Sequence, residues 1–467
     1  MLTIADGGEG ISRRGFITAG SLGLGGLTLS SLLSARATAA GSEGFLRDRS
    51  VIFLFMQGGP SQYETFDPKL DIPDKIRTAT GVTQTSLPGV IFGDRFPQLA
   101  ERAHRLTVVR SYQTNNGGHN IQPLVGPASL EGNIGTHFAR VVGATRPATG
   151  VPTTSLLFPQ SVNSEVTKGR ARGNLAATGE YGDVYAPFQP GVGGQLQKDM
   201  RLNLPRARFL NDRRSLLAAL DQLHRKMDVS DRIETSDALQ QQAADVLLGG
   251  GVSEALDLSK EDPNVTARYD TSRYAARHNW AKVNRGKSGY YTGHAKSLGK
   301  LLLLARRLCE TGCGFVTVHA GYAGVWDNHA DGNNLGVVDG MDAVGRTFDH
   351  AVAAFMDDVE ARGLKDKILL VCSGEMGRGR GLSRNGGRGH WGPLAPLLLY
   401  GGGIPDGQVI GKSTRDGAEP ESDNLTPKHL IATIMNTLFD VGQLRLERSV
   451  PPAVLQLAQA DPIPDLF

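Results

Sequence analysis

Three observations predict an α/β fold with a mainly parallel sheet. Several short runs are continuously apolar and rich in β-branched residues. Segments with helical spacing of apolar residues alternate with them, and the runs break into polar, glycine-rich loops. A strand that is apolar along its whole length is buried on both faces, so helices must cover both sides of the sheet. In open sheets of this kind ligands gather beyond the carboxyl ends of the strands. The loops that follow the apolar runs are therefore where functional side chains are expected to converge.

The chain opens with "SRRGFITAGSLGLGGLTLSSLLSARATAA". Arg13 and Arg14 precede a weakly apolar, glycine-rich run from Ile17 to Leu33, which ends in Ala37-Thr38-Ala39, an A-x-A cleavage pattern. The run holds too many Gly, Ser and Thr residues for a membrane span. It reads as a twin-arginine export signal over residues 1–39. The expectation is export to the periplasm or the exterior through the twin-arginine machinery, with no stable membrane span after cleavage.

The first strand, 51–56, lies in "SVIFLFMQGGP" and stops at Gly58-Gly59-Pro60. "RLTVVRSY", 105–112, is a second strand and leads into "QTNNGGHN". Residues 140–200 show no period and predict irregular surface structure, and 206–249 then carry two helical patterns. "GHAKSLGKLLLLARRLCETG" predicts a helix ending at Gly312, followed by the strand "FVTVHA" and the loop "GYAGVWDNHADGN". A helix follows from about 340 to 362, and then the strand "KILLVCSG", 367–374. The final helix, "TPKHLIATIMNTLFD", has Thr426 as N-cap and Pro427 at its first position. No internal repeat is present.

Composition narrows the function classes. The 467 residues carry a formal net charge of +3, with 40% hydrophobic and 21% charged residues, which describes a globular chain. No long Lys/Arg block supports a nucleic-acid partner. Three cysteines, Cys309, Cys313 and Cys372, form neither a disulfide framework nor a zinc spacing.

Three segments after strands hold ligand-type side chains: Asp327 and His329 with Asp331, then Glu375, then His390 beside Trp391. Carboxylates with imidazoles suit Zn²⁺, Mn²⁺ or Fe, and admit Mg²⁺ or Ca²⁺ where water completes the shell. Each residue also has a plainer role open to it. Asp327 and His329 can close their own turn, Glu375 can pair with Arg378 or Arg380, and His390 can pack against Trp391. His319 is expected to be structural, and the run Asp357, Asp358, Glu360 to be a solvated helix face. Ser61 is an N-cap or an activated hydroxyl. Asn115, Asn116 and His119 either hold an oxyanion or sugar hydroxyl or shape their loop, and Arg110 can face an anion. Gln57 stands where a carboxylate ligand would be expected after the first strand.

These segments resemble the DUF1501 family of exported proteins. The likeness runs through "SVIFLFMQGGPSQYETFDPK", "RLTVVRSYQTNNGGHN", "LLLARRLCETGCGFVTVH", "WDNHADGNN", "GEMGR", "GGRGHW" and "LTPKHLIATIMNTLFD". The resemblance implies a three-layer α/β/α sandwich related to the alkaline phosphatase and sulfatase folds. That domain would span residues 40–467, with a helical and loop-rich insertion at about 140–290. It further implies an exported, metal-dependent hydrolase of phosphate or sulfate esters acting on a small molecule or a polysaccharide. On that basis Asp327, His329, Glu375 and His390 are the expected ligands of a divalent metal (Zn, Mn, Ca or Mg). Ser61 and His119 are the catalytic candidates, and Asn115, Asn116 and Arg378 the substrate-binding ones. Departures from the family pattern, at Gln57, Met376 and Gly389, point to one metal site rather than two. They also keep open a non-catalytic envelope or carbohydrate-binding protein, or a structural role at the envelope.

Overall fold

The structure is a computed structural model that describes residues 44–146, 149–191, 251–276 and 285–467. The expected signal and the helical patterns of 206–249 lie outside the described residues.

The strands are β1 (Ser50–Phe55), β2 (Val82–Gln84), β3 (Ile91–Gly93), β4 (Thr107–Val109), β5 (Thr154–Leu157), β6 (Phe315–His319), β7 (Ile368–Ser373), β8 (Gly377–Leu382), β9 (Arg388–Trp391), β10 (Leu397–Gly401) and β11 (Gln408–Ile410). Seven of them form one sheet in the order β11-β4-β10-β7-β1-β6-β5. β1 pairs in parallel with both β6 and β7, β5 with β6, and β11 with β4; β10 alone is antiparallel to its neighbours β4 and β7. Six strands therefore point the same way, and the loops after β1, β4, β6 and β7 share one rim, as the sequence predicts, joined there by the loop after β11.

Two cores lie on opposite faces of this sheet. Ile52, Leu54 and Met56 face a layer with Leu302, Phe348 and Phe355, from α2 (Arg285–Glu310) and α3 (Arg346–Ala361). Val51, Phe53 and Phe55 face Phe138, Ile434 and Leu438, from α1 (Ile134–Val142) and α4 (Pro427–Leu438). The alternation of a strand's side chains thus feeds two helical layers, which is the three-layer sandwich. α2 approaches its neighbours closely: a Cβ on Gly299 would sit 1.8 Å from the Tyr269 carbonyl oxygen.

Two local expectations need correction. Residues 140–200, expected to be irregular, include β5 at the sheet edge. Its four-residue run between prolines is too short to show a period. Thr426 is the N-cap of α4 with Pro427 at its first position, as expected, and its backbone N–H and hydroxyl both meet His429 Nδ1, at 3.1 and 2.9 Å.

The acidic run on α3 is not a solvated face. Asp358 is buried and accepts from Arg306 Nε at 2.9 Å, Arg362 Nε at 2.9 Å and Tyr269 Oη at 2.9 Å. Arg306, itself buried, also reaches Glu261 at 2.7 Å, and Asp357 holds Arg102 at 2.7 Å. Removing one partner leaves buried charge uncompensated. Asp358→Ala is expected to cost about 3–5 kcal/mol. Asp48→Ala, which breaks an exposed 2.6 Å pair with Lys367, is expected to cost about 0.5 kcal/mol or less. Denaturant midpoints of the two variants check the contrast.

Candidate metal centre

The site is assembled from loops after three strands. His119 comes from the loop after β4, Asp327 and His329 from the loop after β6, and Glu375, Arg378 and His390 from the segment after β7. Backbone contacts set these loops against each other. Thr114 and Asn115 N–H groups donate to the Gly392 carbonyl at 3.2 and 3.0 Å, and Arg388 N–H donates to Asn328 O at 3.1 Å. Gly58 sits at φ +119°, where a Cβ would meet Asp327 N at 2.6 Å, so the loop after β1 presses directly on the Asp327 backbone.

Ligand-type atoms of His119, Asp327, His329 and His390 lie within 4.8 Å of one another. His119 Nε2 is 3.0 Å from Asp327 Oδ2, and His329 Nε2 is 3.1 Å from Asp327 Oδ1. His390 Nε2 is 3.4 Å from Asp327 Oδ1 and 2.7 Å from His329 Nε2. Asp327 is buried and His119 is partly buried with a nearly covered ring, whereas His329 and His390 are more exposed, so the cluster is reachable from solvent.

The tautomers follow from the outer contacts. His390 Nδ1 is 2.9 Å from the Gly117 carbonyl, which can only accept, so Nδ1 carries the proton. His119 Nδ1 is 2.9 Å from Glu375 Oε1, a carboxylate oxygen, and donates to it. In the neutral rings both Nε2 atoms then present lone pairs toward the Asp327 carboxylate. Lone pairs of two imidazoles aimed at a carboxylate repel unless a proton or a cation lies among them. A carboxylate that orients a histidine whose other nitrogen faces a cluster is the arrangement found around bound metals. The residues present therefore fit a divalent cation.

In the metal-free protein a proton takes that place between the rings and Asp327. Burial alone would raise Asp327, but hydrogen bonds from His119 and His390 and the Arg378 charge hold it well below the usual carboxylate range. Burial lowers His119, yet its bonds to Asp327 and Glu375 outweigh this and leave its pKa raised. Burial, with the nearby Arg378 and His390 charges, lowers that of His329.

The expected site residues fall into three groups. Asp327, His329 and His390 converge, and His119, expected as a catalytic residue, joins them. Glu375, expected as a ligand, is fully buried outside the cluster. Its oxygens accept the Gly58 N–H at 3.0 and 3.1 Å as well as His119. It braces a converging histidine instead of joining the set. The remaining candidates do not face the cluster as open groups. The buried Ser61 hydroxyl donates to Glu64. Asn116 closes its own turn on Gly118 through both ends of its amide, and Asn115 is exposed at φ +53°. Arg378 is completely buried and donates to Asp327 Oδ1 at 2.7 Å, Gly59 O at 2.7 Å, Gly58 O and Arg388 O. Its guanidinium is committed to the protein and is not open to a substrate. Arg380, the other proposed partner of Glu375, pairs with Asp416 at 2.7 Å.

Two residues gain a role that spacing could not show. Asn334 donates to Asp327 Oδ2 at 3.1 Å from a turn that Asp331 closes on Asn333 and Asn334. Gln57 is a neutral staple: its amide donates to Asn120 O at 2.6 Å and accepts from Arg172 N–H and His319 Nε2, both at 3.0 Å. His319 Nδ1 accepts the Gly321 N–H at 3.1 Å, so the ring is neutral and structural as expected.

A model of the family described as "Protein of unknown function (DUF1501)" matches residues 48–444. The chain belongs to the DUF1501 family. This DUF1501 chain matches no curated protein. Among solved structures it is similar to the PsFucS1 sulfatase from Pseudoalteromonas sp., at 12% identity and TM-score 0.37, over 94% of this chain and 76% of that one. It is also similar to the integral membrane protein lipooligosaccharide phosphoethanolamine transferase A (EptA) from Neisseria meningitidis, at 11% identity and TM-score 0.29, over 97% of this chain and 66% of that one. No helix among the described residues is long and apolar enough to cross a membrane.

Two outcomes follow. Glu375→Gln keeps the shape but weakens the acceptor that orients His119, and is expected to lower affinity for Zn²⁺ by roughly 10- to 100-fold; competition with a chromogenic chelator measures this. Burial holds His319 neutral, at about 3. Its folded pKa lies below its unfolded value, so the stability it contributes is present above about pH 6.5 and is lost as pH falls toward 3. Denaturant midpoints are expected to fall between pH 6 and pH 4, at up to about 1.4 kcal/mol per pH unit from this residue, with a shallower slope in His319→Gln.

Proposed function

We propose that this protein is an exported, metal-dependent hydrolase of phosphate or sulfate esters. The observation that carries the proposal is the convergence of three imidazoles and one carboxylate on the sheet rim, with two of the imidazole tautomers fixed by outer acceptors. A set with three nitrogen donors suits Zn²⁺ or Mn²⁺ better than the oxygen-seeking Ca²⁺ or Mg²⁺. His119, Asp327, His329 and His390 would hold a single ion. When bound, it would supply Lewis-acid stabilisation of ester oxygens and a lowered pKa for water.

The chain's own residues divide the remaining work. Glu375 fixes the His119 ring, and Arg378 and Asn334 fix the Asp327 carboxylate. The partly exposed His329 and His390 form the face that an ester would approach. With the Ser61 hydroxyl held by Glu64, the reading uses water as nucleophile and has no covalent serine step. Residues 1–39 would direct export through the twin-arginine machinery, which carries folded cargo and so admits a metal acquired before export.

A second reading is a non-catalytic envelope or carbohydrate-binding protein. It draws support from Gln57, a neutral amide at the end of β1 where a further ligand would complete a second metal site.

One experiment separates these readings. Protein secreted through its own signal is collected alongside an Arg13→Lys, Arg14→Lys double variant, which is expected to remain inside the cell. Metal content of the secreted protein is measured, then hydrolysis of aryl phosphate and aryl sulfate. About one equivalent of metal is expected, with kcat/KM reduced roughly 100-fold or more in His329→Ala and His390→Ala. Metal without ester hydrolysis would favour the binding protein. Metal-free secreted protein, or equal activity in all forms, would sink the hydrolase reading. Secretion of the double variant at the normal level would sink the export assignment.

A further inference from the structure

A second site lies on the same rim, beyond the ends of β4 and β11. A cavity of about 350 Å³ is lined by Lys69, Arg110, Lys412 and Arg415, with Asp67, Glu421 and Ser413. Arg110 immediately follows β4, and Gly411 to Ser413 immediately follow β11. These strands point the same way as β1, β6 and β7, so the cavity opens on the side of the sheet that carries the metal centre.

Its charges are unbalanced. Asp67, buried at the floor, is met by Lys69 at 3.0 Å, by the Ser413 hydroxyl and by Arg110 at 3.6 Å. Glu421 meets Lys412 at 2.6 Å, but both are largely exposed, so water screens that pair. Arg415 donates to the Asp71 carbonyl at 3.0 Å. Arg110 is fixed by the carbonyls of Phe66 at 3.0 Å and Ile91 at 3.3 Å. Four cations thus face two carboxylates in a concave, polar site, the setting that focuses a positive potential.

The cavity and the metal centre share a wall. The segment that begins with Gly411 and ends with Glu421 lines the cavity on one side. On its other side Asp416 pairs with Arg380 at 2.7 Å, Gly417 O accepts from Gln62 at 3.1 Å, and Ala418 O accepts from the Trp391 indole. Arg380 and Trp391 belong to the β8–β9 hairpin, and Trp391 is next to His390.

We infer that this cavity receives a second oxyanion, a sulfate or phosphate substituent, on a unit of the substrate adjacent to the ester at the metal centre. The substrate would then be a polyanionic chain and not an isolated small ester. The inference rests on the hydrolase reading for what happens at the metal centre. The binding it predicts is measurable without hydrolysis.

The test is calorimetric titration of the full chain with a sulfated dextran oligosaccharide, an uncharged dextran oligosaccharide and inorganic sulfate. Wild type is expected to bind the sulfated oligomer with an affinity that falls with salt, and to bind the uncharged oligomer and free sulfate at least tenfold more weakly. Lys412→Glu with Arg415→Glu, at two exposed positions, is expected to weaken binding of the sulfated oligomer at least tenfold without changing the thermal midpoint. Lys412→Gln with Arg415→Gln is expected to give an intermediate loss, and it decides the matter if the reversed variant unfolds. Equal binding by wild type and the charge variants, or equal affinity for free sulfate and the oligomer, overturns the inference. Intact charge-dependent binding without ester hydrolysis in wild type would instead sink the hydrolase reading and leave the anion site standing.

Discussion

The buried pair between Arg378 and Asp327 is the contact on which the rim depends. Taking both charges out of water is costly and is repaid only by close geometry and further hydrogen bonds. Arg378 has them: besides Asp327 at 2.7 Å, it donates to the carbonyls of Gly58, Gly59, Trp326 and Arg388. One guanidinium thereby joins the loops after β1, β6 and β7. Gly58 completes the joint from the other side, giving its N–H to Glu375 and its bare Cα face to the Asp327 backbone. The position of Asp327, and with it the point on which the three histidines converge, is a product of this joint.

A second buried pair, Arg388 with Glu64 at 2.8 Å, repeats the device one layer out. Arg388 lies over the Tyr63 ring at 4.4 Å and donates to the Arg77 carbonyl at 2.7 Å, so the β8–β9 hairpin is clamped to the segment after β1. Glu64 also takes the Ser61 hydroxyl. A serine that looks like a nucleophile in sequence is thus part of the clamp that holds His390 in place. Arginines serve these joints because a planar fork of donors can satisfy a carboxylate and several carbonyls at once.

The charge balance along the rim changes from one end to the other. At the metal centre the carboxylates of Asp327 and Glu375 meet histidines and a buried arginine, while the neighbouring cavity holds an excess of cations. On the proposed reading, such a rim would order an extended anionic substrate by its charges, with the ester at one station and a neighbouring substituent at the other. The loop between the stations is held to both, so their spacing is set by the fold and not by flexible side chains.

Much of this was legible in the sequence. Continuous apolar runs define a strand buried on both faces whatever its neighbours, so β1, β6 and β7 and their shared rim follow from local pattern. Local pattern also places Asp327 and His329 in a loop after a strand, but it missed the β8–β9 hairpin, where His390 lies in β9 and not in a loop. It could not find β5, four residues between prolines, because so short a run has no period. Nor could it sort the polar residues into roles, because those roles depend on partners 50 to 300 positions away. His119 joins the cluster because Glu375 turns its ring. Asp358 is buried because Arg306 packs on it from another helix, and Gln57 is a staple because His319 and Arg172 reach it. The sequence by itself determined the central strands β1, β6 and β7, their shared direction and the loop that carries Asp327 and His329, since these follow from hydrophobic periodicity along the chain. Only the tertiary structure decided which side chains meet, since hydrogen-bond and charge pairing act across space and leave no mark on sequence spacing.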